Sequence, residues 1–152
     1  ARSIDDNDLS ETRITQRSYW EGFHSVLDQA AGPVAGNRKP QPQSWMNYSI
    51  GRSGFALGAA MIRWNQQVRA ELYISGAEAK QYFAALRREA DAIHSALNYD
   101  LTWEELPAGR DCRIAIYMNS VNPDDRQDWR RQHEWLASKI NDLHRVFAPR
   151  VR

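Results

Sequence analysis

The stretch Phe55-Ala56-Leu57-Gly58-Ala59-Ala60-Met61-Ile62 constrains the fold of this 152-residue chain more than any other. Side chains alternate between the two faces of an extended segment. Here Phe55, Leu57, Ala59 and Met61 fall on one side, and Ala56, Gly58, Ala60 and Ile62 on the other. Both sides are apolar, and one is small. The segment from about Gly54 to Trp64 is therefore expected as a central strand covered on both faces, with something packed close over its Ala/Gly side.

The neighbouring segments supply the rest of a sheet. Ser44 to Gly51 reads as a strand entered through Pro40 and Pro42, and Gly51-Arg52-Ser53-Gly54 as the turn of a hairpin. Asn65-Gln66-Gln67 makes the next turn. In the strand Val68 to Ser75, apolar Val68, Ala70, Leu72 and Ile74 alternate with Arg69, Glu71 and Tyr73. Short strands follow near Leu101 to Leu106 and from Cys112 to Asn119. Three helices are expected: Glu11 to Ala31, capped by Ser10 and ended by Gly32-Pro33; Ala77 to Leu97; and one opened by Asn122-Pro123-Asp124-Asp125, with a stripe from Trp129 to Phe147. The order α-β-β-β-α-β-β-α specifies an α+β fold with a mainly antiparallel sheet and helices mostly on one face. Residues 1–10 are expected as a flexible linker or tail, and 11–152 as a single domain.

Composition excludes several classes of function. The formal charge of +1 provides no overall basic field of the kind that dominates non-specific DNA binding. The cations are lopsided, with 17 Arg against three Lys, which fits either a high-GC genome or planar recognition of phosphate or carboxylate. The single Cys112 excludes an internal disulfide and a cysteine-based zinc site, and fits a reducing cytoplasm. No apolar run approaches 18 residues, so no membrane span is expected.

The run Pro42-Gln43-Ser44-Trp45-Met46-Asn47-Tyr48-Ser49-Ile50-Gly51-Arg52-Ser53-Gly54-Phe55 resembles a bacterial and archaeal domain-of-unknown-function family, number 4268. So do Ala70-Glu71-Leu72-Tyr73-Ile74 and His144-Arg145-Val146-Phe147-Ala148-Pro149-Arg150. The resemblance covers roughly residues 16–152. Members of that family often sit as a C-terminal module, in some proteins behind a nuclease-like domain. That implies work near DNA or in defence, and carries over no catalytic residue.

Catalytic readings fail on missing groups. Helix, three strands, helix, strand is also the order of the PD-(D/E)XK nuclease core. That core needs an acid on its second strand and Glu-x-Lys on its third to hold Mg²⁺. The second strand here has no acid, and Tyr73 follows Glu71 where the Lys belongs. His133-Glu134 opens like a zinc-protease motif, but Ala137 stands at the second His position. The four histidines lie off the apolar stripes of their helices, where rings pack and hydrogen-bond at a core boundary. No metal or cofactor is expected.

A binding face is the better reading. Trp45 and Asn47 on the first strand, Arg69 and Tyr73 on the third, and Arg113 and Tyr117 on the last point to one sheet face, with Arg52 at its rim. Such a face can stack bases and contact phosphates. Equally, a helix or a neighbouring domain can cover it, with Arg69, Glu71 and Arg113 forming a cross-strand charge cluster. Trp135 and Val146, about 100° from the last helix's core stripe, are either a second contact surface or a wider core. The expected function is a cytoplasmic, non-catalytic accessory domain that binds DNA or a partner domain, such as an adjacent nuclease-like domain of the same protein. The alternatives are an active or degenerate nuclease fold and a dimerisation module.

Overall fold

The computed structural model describes residues 10–151. Helix α1 (Glu11–Gln29) leads into strands β1 (Trp45–Ser49), β2 (Phe55–Ile62) and β3 (Gln67–Ile74). Helices α2 (Ala79–Arg87) and α3 (Ala90–Leu97), strands β4 (Thr102–Glu105) and β5 (Cys112–Asn119), and helix α4 (Trp129–Phe147) follow. The five strands form one antiparallel sheet in the order β1-β2-β3-β5-β4. The expected α+β class is what the chain adopts. Of the segment 1–10, only Ser10 lies within the described residues; its hydroxyl accepts from the Arg13 N–H at 3.3 Å and caps α1.

All the helices pack on one face of the sheet. α4 lies on β2 and β3, α1 packs against α4, and α2 crosses β3 and β5. The core they enclose joins Trp20, Phe23 and Leu27 of α1 to Leu57, Met61, Val68, Leu72 and Ile114 of the sheet and Leu136 and Ile140 of α4. β2 is interior to the sheet, and its Phe55-Leu57-Ala59-Met61 side is the buried helix-facing one. The Ala/Gly side is covered differently from expectation. Among the described residues no helix lies over it; a side chain of β3 does the covering. A Cβ on Gly58 would sit 3.0 Å from Glu71 Cγ and 3.2 Å from Asn47 Oδ1, so the absent side chain is the space Glu71 occupies.

Two further expectations need correction. The helix read as Ala77 to Leu97 is two helices, broken at Arg88 and Glu89. The Glu89 N–H reaches back only to Leu86 O, which tightens the turn without proline or glycine. α2 then follows the sheet while α3 swings onto α4. Secondly, His24 and His133 are core residues, 5% and 3% exposed, on the facing helices α1 and α4. Their rings fill an aromatic cluster with Tyr19, Phe23 and Tyr48, and His24 Nε2 bonds the Tyr48 hydroxyl at 2.7 Å. His94 keeps the boundary place, its Nε2 accepting from the Leu101 N–H and the Trp103 indole at 3.2 Å each. Val146 is buried, so that side of α4 belongs to a wider core, and Trp135 packs partly buried against it.

Candidate ligand-binding face

The register of the strands lays out the second face in rows. One row is Trp45, Ala60, Arg69 and Tyr117. The next is Asn47, Gly58, Glu71, Ala115 and Thr102, and the third is Ser49, Ala56, Tyr73, Arg113 and Glu104. Six of the seven residues singled out in the sequence, Trp45, Asn47, Arg69, Tyr73, Arg113 and Tyr117, therefore share this helix-free face. They meet there because each strand contributes its polar alternate positions.

Arg52 is not brought to that face. Its Nη1 donates to Val151 O at 2.7 Å and its Nη2 to the Tyr82 hydroxyl at 3.2 Å, with the guanidinium over the Tyr82 and Phe55 rings. It ties the hairpin turn to α2 and the C-terminal end. Both turn glycines have φ of +88°, the left-handed region that favours glycine. The Gly-Arg-Ser-Gly motif is a structural turn whose arginine is anchored by two hydrogen bonds and two aromatic rings.

Over β1, β2 and β3 the face is hollowed into a groove of about 590 Å³. Its floor is Gly58 and Ala60, its polar side holds Asn47, Arg69, Glu71 and Arg113, and its rim carries Trp45, Arg63 and Trp64, with Gln16 of α1 reaching it from one side. The two tryptophans stand 47% and 87% exposed, against a core in which Trp20 is fully buried. Trp64, expected at the end of the second strand, lies beyond it: β2 ends at Ile62, and Trp64 sits in the single 3-10 turn Arg63–Asn65 that links β2 to β3. Its position beside a turn was the one sign in the sequence that it leaves the sheet, and the alternation pattern does not register it.

Each arginine of the groove is answered by a carboxylate. The Arg69 Nε donates to Glu71 Oε1, and Arg113 Nη1 lies 3.9 Å from the same oxygen. Arg113 Nε donates to Glu104 at 3.1 Å, and the Tyr117 hydroxyl donates to the other oxygen of Glu104. At the rim, Arg63 pairs with Asp124 at 2.8 Å. The cross-strand cluster weighed from the sequence is therefore present, extended by Glu104, which sequence spacing alone could not place opposite Arg113.

Two phenols of the face and the one cysteine are held in their protonated forms. Tyr73 donates to Asp111 at 2.6 Å, and that bond together with burial pushes the phenol up to about 12. Burial, reinforced by Glu104, raises Tyr117. Both phenols thus remain protonated donors at neutral pH. Cys112 is buried under the opposite face, and burial raises its thiol, the reverse of a nucleophile's tuning. Among the described residues, no group of three His, Cys, Asp or Glu could hold a metal ion, and no helix is long and apolar enough to cross a membrane.

Fold and face together define a small α+β domain: a five-stranded antiparallel sheet, helices on one side, and a tryptophan-rimmed groove on the other. Residues 15–151 match the family model described as Domain of unknown function (DUF4268), and the chain belongs to that family. No curated protein and no solved structure matches the chain.

Proposed function

We propose that the chain is a non-catalytic accessory domain whose helix-free sheet face receives a partner protein domain. The observation that carries this reading is the combination of two water-exposed tryptophans with a charge set closed on itself. Exposed indoles at the rim of a concave surface are the residues that anchor protein interfaces. The pairing of the arginines favours a protein partner over DNA. A phosphate entering the groove competes with Glu71, Glu104 or Asp124 for a guanidinium already paired, so little counterion release is available to drive binding. A protein surface needs no such exchange.

The resemblance to modules that follow nuclease-like domains makes a neighbouring domain of a bacterial, cytoplasmic nuclease or defence protein the natural partner. DNA remains the second reading, favoured by the indoles themselves, which stack bases as readily as side chains. A nuclease role for this chain itself is disfavoured by Glu71, whose carboxylate is committed to Arg69 and lies beside Arg113.

Replacing Trp64 with a benzophenone amino acid in the full-length native protein tests the proposal. The expected outcome is a crosslink to one defined protein segment, lost when Trp45→Ala is added. A crosslink to nucleic acid supports the second reading, and a second copy of this chain as the captured segment supports dimerisation. No crosslink of any kind contradicts a ligand at this face.

A further inference from the structure

We infer that the groove takes an extended, uncharged, proline-containing segment of the partner; this rests on the reading that a protein docks at this face. At about 590 Å³ the groove falls within the ~300–1,000 Å³ of sites that enclose a whole ligand, and exceeds what one side chain fills. Its floor is low: Ala60 carries only a methyl group, and the Glu71 side chain lies flat over Gly58, so an extended chain can lie above them.

Asn47 names the kind of chain. Its amide stands beside the floor, two residues from Trp45 on the same face, with Oδ1 3.2 Å from where a Gly58 Cβ would be. Among the described residues its side chain makes no hydrogen bond, although it is half-buried. A half-buried amide offers one acceptor and two donors, the complement of a peptide's own N–H and C=O. An α-helix has spent those groups internally and cannot answer it. An added β-strand would pair at the sheet edge, whereas the groove lies on the face. A polyproline-type segment leaves its carbonyls free, arrives already extended and so loses little entropy, and packs its rings on indoles.

The charges exclude the rest. Arg63, Arg69 and Arg113 are each held by a carboxylate, so an acidic or basic segment would have to break a pair to gain one. The complementary ligand is neutral. A nucleobase also suits the indoles and Asn47, but it brings a phosphate that this set does not welcome.

The test is a set of capped ten-residue peptides titrated against the purified chain by fluorescence polarisation: uncharged with three prolines, the same with two Glu or two Lys, uncharged without proline, and an oligo-dT of twenty nucleotides. The expected result is binding of the uncharged proline peptides alone. Trp64→Ala and Asn47→Ala should each weaken it on the order of tenfold. Asn47→Asp should weaken it as well, while Arg52→Ala, still folded at the assay temperature, should leave it unchanged. Equal binding of charged or proline-free peptides, preference for oligo-dT, or no peptide binding at all overturns the inference. If the crosslink from position 64 to a protein persists while the peptides fail, the docking reading stands and this one falls; if both fail, both fall.

Discussion

At the scale of single residues, burial and pairing separate the side chains that hold the face together from those free to act. Glu71 is 6% exposed and pairs with Arg69, so Glu71→Ala leaves Arg69 without its carboxylate, beside an Arg113 still held by Glu104. The expected cost is about 3 kcal/mol by urea unfolding, the low end for breaking a buried pair because both arginines keep some water. Gly58→Val forces a branched side chain into the space Glu71 fills, with an expected loss of about 1–3 kcal/mol by the same measurement. Arg52→Ala removes two hydrogen bonds and two ring contacts, for about 1–2 kcal/mol, and no ligand affinity. Period-two alternation made six of the seven candidate residues legible, because strand register follows directly from it. Arg52 was not legible. A Gly-flanked arginine looks the same in sequence whether it waits for a phosphate or reaches a carbonyl 99 positions away.

Among the elements, the pairing of α1 with α4 carries a pH dependence of definite sign. Burial holds His133 down to about 4, with His24 beside it adding to the effect, and burial lowers His24 too. The unfolded chain takes up these protons near the ordinary value of 6.5, while the folded chain resists them. Between pH 6.5 and about 4 the unfolded state therefore binds more protons, and stability falls as the pH drops through that window. Above pH 6.5 these histidines leave stability flat. The loss from His133 is on the order of 3 kcal/mol by pH 4, and His133→Phe should flatten the slope in thermal melts taken at a series of pH values. The helical wheel places these histidines off the apolar stripe, but α1 and α4 close on each other over a wide aromatic seam, and the seam absorbs its margins. The break between α2 and α3 was equally hidden. No proline or glycine marks it, and the bend is set by α4, to which α3 turns. The strands, by contrast, were visible almost to the residue, since each is bounded by a turn with its own chemistry.

For the molecule as a whole, the one-sided placement of the helices decides what the chain can do. Among the described residues all the helices cover one face, and the other carries a closed charge network, a small-residue floor and two exposed indoles. The Ala/Gly side of β2 predicted a close cover; the cover is one buried glutamate, and above it the groove is open. Trp64, the most exposed large apolar side chain among the described residues, was expected at the end of the second strand, and its place at the groove rim came only from the fold. The most direct measurement is the dissociation constant for the protein segment captured from position 64, by titration calorimetry, for wild type, Trp45→Ala, Trp64→Ala and Arg52→Ala. Loss of about tenfold or more for each tryptophan, with less than about a twofold change for Arg52→Ala, is the predicted result. Equal losses for all three, or none for the tryptophans, would contradict a ligand on the helix-free face.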